Sequence, residues 1–245
     1  MPNNLSPRVR VSIVTISKDD ALGLGATVQS VLAQSHEDFE CIVVRSGTSQ
    51  LANLPADRRI VVVDVPARGI SSAFNAGVER ARGDWVQFLN GGDRFLDGES
   101  LQRLVASADS TVRMVLSFAR VDGRSFTIPR RTLRLGSDSF LYASHQATLF
   151  RRSLFEEHGL FTEEIRVRMD LEWLARLPPS LPFAFVEAVT VHFDATGVSA
   201  SNVVQSSLEE AKILWRTRDR RSHALAVVML LLPFRVLRRA WRHFA

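Results

Sequence analysis

Four apolar runs and two helix-period segments share the first 90 or so residues, and their order leaves few folds open. Val9 to Ile16 reads as a buried strand, followed by the polar loop Ser17-Lys-Asp-Asp20. Leu22 to Ala33 carries Leu24, Val28, Val31 and Leu32 at helical spacing. Phe39 to Val44 and Arg59 to Val65 predict two more strands. Ser71 to Ala81 predicts a helix with Phe74, Val78 and Ala81 on one side, and Trp85 to Leu89 predicts a fourth strand. A β-α-β-β-α-β series of this kind specifies an α/β domain with a mainly parallel sheet and right-handed crossovers. Glu99 to Ser107 continues it as a helix and Met114 to Ala119 as a strand.

The second half is less periodic. Arg124 to Arg134 reads as strand or loop, and Ser139 to Phe150 as a polar stretch entering an apolar one. Ser153-Leu-Phe-Glu156 has the form of a capping box opening a helix that stops at Gly159. Asp170 to Leu177 predicts a helix ended by Pro178-Pro179, and Phe183 to Phe193 a strand. Ser206 and Ser207, with Glu209 and Glu210 three residues on, predict the start of a long terminal helix.

The fourth strand breaks into Asn90-Gly-Gly-Asp93. Open α/β sheets hold charged ligands beyond the carboxyl ends of their strands, so the loops after strands one to four should form one pocket. They bring Lys18, Asp19, Asp20, Arg45, Ser46, Arg68, Asn90 and Asp93. Arg68-Gly69 precedes a helix whose amino end supports an anion. Asp170, at another helix start, is a candidate general base toward a hydroxyl. Gly23-Leu-Gly25 is not a dinucleotide fingerprint, because the third glycine position is Val28.

Charge is uneven along the 245 residues. Lys212 to Ala245 holds nine Lys/Arg and one acid, Asp219, which leaves 22 basic and 25 acidic residues elsewhere. A basic tail beside the apolar run Ala224 to Phe234 suits an anionic membrane surface better than nucleic acid. That run has 11 residues and contains Pro233, short of the ~20 needed to span a bilayer. The single cysteine, Cys41, excludes a disulfide framework. Met1 to Arg10 has no apolar core of signal-peptide length, so the expected location is the cytoplasm, peripheral on the membrane face.

A series of motifs in order resembles the inverting family 2 glycosyltransferases of GT-A fold, closest to the bacterial surface-polysaccharide branch. They are Val11-Ser-Ile-Val-Thr15, Thr27 to Ser35, Glu40 to Val44, Arg68 to Gly77, Gly83 to Asp93, His145 to Arg152, Gly159 to Phe161 and Met169 to Arg176. The likeness covers roughly residues 9 to 200.

The resemblance implies a nucleotide-diphosphate sugar donor, a saccharide or lipid-linked saccharide acceptor, and transfer with inversion. Donor binding falls to Thr15, Ser17, Asp19, Arg45, Arg68, Asn75, Asn90, Gly91, Gly92 and Asp93. The acceptor side falls to His145 and Gln146, and the catalytic base is Asp170. Asn90 and Asp93 occupy the place of the Asp-x-Asp motif and are the implied ligands of Mg2+ or Mn2+. The sequence departs from that pattern at Arg45 and Ala67, where acids are usual, and at Gly92, which offers no side-chain ligand. A non-catalytic nucleotide-sugar-binding or scaffold protein is the alternative those departures raise. The expected organisation is a GT-A domain over 1–205 and a basic, apolar, amphipathic helical tail over 206–245.

Overall fold

The structure is a computed structural model that describes residues 11–47, 54–121, 143–194, 202–216 and 233. The expected opening series is present as β1 (Val11–Lys18), α1 (Ala21–Leu32), β2 (Phe39–Ser46), β3 (Ile60–Val65), α2 (Ile70–Arg80) and β4 (Trp85–Asn90). There follow β5 (Arg94–Phe95), α3 (Ser100–Val105), β6 (Met114–Val121), a 3-10 turn (His145–Ala147), β7 (Thr148–Arg151), α4 (Ser153–His158), α5 (Met169–Leu174), β8 (Phe183–Phe193) and α6 (Val203–Arg216). The readings for Arg124 to Arg134 and for the apolar run from Ala224 to Phe234 lie outside the described residues, apart from Pro233.

All eight strands form one sheet in the order β3-β2-β1-β4-β7-β6-β8-β5. β3, β2, β1 and β4 are parallel, β7 turns back between β4 and β6, and β8 is again parallel to β6. β5 runs against β8. Six strands therefore point one way, and β5 and β7 oppose them. In register, Ile16 sits between Val44 and Asn90. This alignment brings the loops after β1, β2 and β4 to one edge. The return into β7 and the end of β8 reach that same edge.

Alternation along the strands divides the apolar side chains between two faces. Val11 and Ile13 pack with Leu24, Val28 and Val31 of α1 and with Leu101 and Leu104 of α3. Val14 packs on the other face with Phe74 and Val78 of α2, Trp173 of α5, and Ile213 and Leu214 of α6. Trp173 stacks on Phe155 with centroids 4.3 Å apart, and its indole N–H donates to Gly159 O at 2.7 Å. These contacts fix α5 against α4.

Two helix starts differ from the sequence expectation. α4 is preceded by Arg152 in helical conformation, without a side-chain cap. Arg152 N–H donates to Asp84 O, and its guanidinium takes Glu156, so that carboxylate does not reach back to a cap. Ser153 Oγ instead meets Arg113 Nη2 at 3.2 Å. α6 begins at Val203, and Ser206 and Ser207 are buried within it. The boundary after residue 205 thus falls inside a helix whose inner face belongs to the domain core.

α2 approaches β1 closely because residue 77 is glycine. A Cβ there would lie 2.2 Å from Val14 Cγ1. Gly77→Ala is expected to destabilise the fold by about 1–3 kcal/mol in urea unfolding. In a double-mutant cycle with Val14→Ala the two changes should couple favourably by more than about 0.5 kcal/mol. Strict additivity would show that the helix relaxes away from the strand freely.

Candidate active site

The Asn90–Asp93 turn is built around a buried carboxylate. Asp93 is 1% exposed. Its Oδ2 accepts from the Asn90 backbone N–H (2.9 Å) and side-chain Nδ2 (3.1 Å), and its Oδ1 accepts from Asp194 N–H (2.9 Å). Burial raises the Asp93 carboxyl above the ordinary carboxylate range, against the opposing pull of those N–H donors. Gly92 has φ +100, which a side chain rarely adopts, and a Cβ there would lie 2.6 Å from Asp194 Oδ2. The carboxylate of Asp194, arriving from β8, thus stands over the second of the turn's two glycines.

Thr27 of α1 holds the same turn from below. Its hydroxyl lies 2.7 Å from Asp93 O and 3.2 Å from Asn90 O, and it accepts from Gly92 N–H at 3.0 Å. Gly91 N–H completes the attachment by donating to Ile16 O of β1 at 2.9 Å.

At the same edge His145 Nδ1 lies 3.1 Å from Asp170 Oδ2. Burial would raise the Asp170 carboxyl. The hydrogen bond and electrostatic pull of His145, with Arg168 and the Leu171 N–H, outweigh it and hold Asp170 below the usual range. An ionised carboxylate only accepts, so Nδ1 carries the hydrogen. Nε2 of His145 is buried without a protein partner. The Asp170 side chain remains 24% exposed, against 13% for His145, so the carboxylate is the more open of the two. The 3-10 turn that carries His145 packs against β4, where Gln87 Nε2 donates to Gln146 O, and this joins the two corners of the site.

The chain leading to Asp170 is pinned from two helices, α2 and α6. Asn75 of α2 exchanges two hydrogen bonds of 2.9 Å with Phe161, and Ser71 Oγ donates to Ile165 O at 3.0 Å. Glu209 of α6 accepts from the consecutive backbone N–H groups of Arg166, Val167 and Arg168 at 3.2, 2.9 and 2.9 Å. Burial works against that carboxylate, and the amides prevail and lower it. The sequence reading missed Glu209 as a ligand of this segment, because a glutamate in an amphipathic helix carries no sign of the remote amides it will meet.

The other predicted positions divide into two groups. Ser17 donates to Asp20 O at 2.9 Å, and Asp19 adopts φ +55 beside Gly47, so the loops after β1 and β2 meet. Arg45 makes a two-pronged pair with Asp64 of β3, both contacts 2.7 Å. Arg68 is exposed in the loop before α2. These face the carboxyl edge. Thr15 and Gln146 are internal. Thr15 Oγ1 is buried without a partner, while Gln146 Oε1 accepts from Ser144 Oγ at 2.6 Å and its backbone O from Gln87 Nε2 at 2.7 Å. Asn75 has its amide engaged with Phe161, in the wall supporting the site.

Residues 12–162 match the family described as Glycosyl transferase family 2. The chain belongs to glycosyl transferase family 2. It is 27% identical over 205 residues to a PGL/p-HBAD biosynthesis glycosyltransferase of Mycobacterium bovis (strain BCG / Pasteur 1173P2), covering 79% of this chain and 80% of that one. It is 29% identical over 167 residues to the uncharacterized glycosyltransferase EpsJ of Bacillus subtilis (strain 168), covering 58% and 48%. The mannosyltransferase PcManGT of Pyrobaculum calidifontis, solved with GDP-Man and Mn2+, superposes with TM-score 0.71 at 17% identity over 94% of this chain and 72% of that one. S. aureus TarS superposes with TM-score 0.68 at 15% identity over 89% of this chain and 42% of that one. The fold is GT-A, a mixed sheet flanked by helices, as the sequence implied. Among the described residues no helix is long and apolar enough to cross a membrane.

The structural neighbour PcManGT was solved with Mn2+ beside GDP-Man. Mg2+ takes one or two carboxylates and completes its shell with substrate phosphates and water. Here Asp93 holds three N–H groups and is sealed, Asn90 offers its amide oxygen, and Asp194 brings a carboxylate over Gly92. Among the described residues no three His, Cys, Asp or Glu side chains converge. These donors fit a cation shared with the donor phosphates, not one held by protein alone. Asp93→Asn would turn an NH2 toward one of the N–H donors. It is expected to cost about 1–3 kcal/mol of stability, measured by chemical denaturation. An unchanged midpoint would show that the turn does not depend on this carboxylate.

Proposed function

We propose that this glycosyltransferase moves a hexose-type sugar from a nucleotide-diphosphate donor to an acceptor hydroxyl with inversion at the anomeric carbon. The single observation that carries the reading is the His145–Asp170 pair, whose histidine lies on a 3-10 turn packed against the strand that ends in the Asn90–Asp93 turn. Asp170 takes the proton from the acceptor hydroxyl as its oxygen attacks the anomeric carbon. The bond to the diphosphate breaks in the same displacement, so no covalent enzyme intermediate forms. The imidazole keeps Asp170 ionised and oriented, and a bound substrate would give its Nε2 the partner it lacks.

The donor lies along the carboxyl edge. Asp19, the Arg45–Asp64 pair and Arg68 border its nucleotide end. Gly91 and Gly92 let backbone approach the diphosphate. Mg2+ or Mn2+, when bound with the phosphates near Asn90 and Asp194, would neutralise leaving-group charge. Asp93 serves that corner by holding the turn in shape. The acceptor is a lipid-linked saccharide of surface-polysaccharide assembly, reached from the cytoplasmic face of the membrane. The basic tail and the relative named for PGL/p-HBAD biosynthesis support that setting.

Asp170→Asn is expected to lower transfer about 10²–10⁴-fold with donor affinity retained, because general-base catalysis contributes on that order. Donor hydrolysis and calorimetric binding measure the two quantities. Equally negligible turnover in both proteins, with donor binding intact, would favour the non-catalytic nucleotide-sugar-binding reading, for which the sealed Asp93 is the motivating observation. Chelation should abolish turnover and added Mn2+ restore it, and chelator-insensitive turnover would exclude an essential divalent ion.

The pH dependence follows from the depressed Asp170 carboxyl. The base works only when ionised, so activity persists as pH falls until that depressed value is crossed. In His145→Asn, burial is opposed less, the carboxyl rises, and the acid limb of kcat/KM moves to higher pH. A uniform loss with the limb unmoved would reduce His145 to a packing role.

A further inference from the structure

α6 has two chemically distinct faces. At about 100° per residue, the buried positions Ser206, Ser207, Glu210, Ala211, Ile213 and Leu214 gather on one side. The exposed positions of the helix from Val204 onward are Val204, Leu208, Lys212, Trp215 and Arg216. Val204, Leu208 and Trp215 fall within roughly 40° of arc, with Lys212 and Arg216 beside them. These three are 51%, 51% and 49% exposed. They are three of the five large apolar side chains that stand exposed among the described residues.

No acid lies on that outward face. Glu209 is turned to the amides of residues 166–168, and Glu210 is buried against Arg168 at 3.4 Å. Both carboxylates of the helix are thereby engaged by residues 166–168. The outward face keeps three large apolar groups and two cations. The segment after it, 217–245, adds seven Lys/Arg and one acid.

We infer that the Val204–Leu208–Trp215 stripe, with Lys212 and Arg216, is a docking face for an anionic lipid bilayer. An apolar stripe flanked by long cationic side chains buries its hydrocarbon at the headgroup boundary and leaves the charges at the phosphates. A tryptophan favours that level. A second copy of the chain is the weaker occupant. Three half-exposed side chains offer roughly 300 Å², well below the ~800 Å² per partner of a stable interface.

The consequence concerns the acceptor, and it rests on the reading of Asp170 as the acceptor base. The helix that meets the bilayer is the helix whose Glu209 grips the segment entering α5. The segment that leads to the base is thus tied directly to the membrane-facing helix, and the acceptor hydroxyl arrives from a membrane-held substrate.

Flotation of the full chain with phosphatidylglycerol-containing vesicles, against phosphatidylcholine alone, tests the docking face. The wild type should float with the anionic vesicles. Val204→Gln/Leu208→Gln/Trp215→Gln should lower the partition coefficient at least tenfold, with unchanged circular dichroism and thermal midpoint. Lys212→Glu/Arg216→Glu should lower it on anionic vesicles and reduce its salt sensitivity. Wild-type partitioning by the triple variant would overturn the inference, and so would a wild type that does not float. A dimer by sedimentation that the triple variant dissociates would assign the face to a second copy. Flotation is read without turnover. A protein that floats yet fails every transfer assay would leave the docking face standing while the proposed reaction falls.

Discussion

A carboxylate removed from water is costly unless it is hydrogen-bonded, and Asp93 is the place where this fold accepts that cost. Its two oxygens gather N–H groups from Asn90 and Asp194, residues that belong to opposite halves of the sheet. The first half, β1 to β4, is a parallel α/β unit. The second, β6 to β8, reaches the same edge through the reversed strand β7. Asp93 ties the end of β4 to the end of β8, and Thr27 ties the turn to α1. The donor corner holds its shape because these attachments converge on a turn whose positive φ at residue 92 glycine adopts without strain.

The acceptor corner follows a similar economy. Asp170 sits at the start of a short helix, which by itself is too brief to be stable. Trp173 anchors that helix through ring stacking and one hydrogen bond, while Asn75, Ser71 and Glu209 hold the chain before it. Each neutral contact is worth on the order of 1 kcal/mol, and the contacts to Glu209 are of the stronger charged kind. Together they leave Asp170 little freedom. Such restriction suits a base, because effective proton transfer needs the acceptor oxygen within hydrogen-bond reach of a positioned carboxylate.

Much of this was legible in the chain, and the boundary is physical. The strands of the first half are continuous apolar runs, and β1, β2 and β4 are almost wholly buried, so their bounds differ from the structure by no more than two residues. The Asn-Gly-Gly-Asp break was recognisable because glycines and a carboxylate at a strand end have local meaning. The pairing of His145 with Asp170 was not visible, since 25 residues and a helix–loop path separate them. Asn75 lies in a motif that suggested donor contact, yet its amide meets the Phe161 backbone, a partner 86 residues away. Ser153 and Glu156 have capping-box spacing. The box fails because Arg152 intercepts the glutamate, a competition that spacing alone does not encode. Side-chain spacing informs about one element, whereas these outcomes depend on which elements meet.

The same distinction bears on the departures from the family pattern. Arg45 stands where an acid is usual, and Gly92 removes a carboxylate from the turn. In the fold each position has an acid beside it from another strand. Asp64 is the register partner of Arg45 across β2 and β3 and pairs with its guanidinium. Asp194 extends from β8 into the space a side chain at residue 92 would fill. A sheet edge allows such substitution, because strand ends that are far apart in sequence lie side by side at about 5 Å spacing. Charge at a site belongs to the volume, not to the position in a motif. At these two positions, what is missing when the motif is read along the chain is supplied when it is read across the sheet, and Asp194 keeps a carboxylate over Gly92.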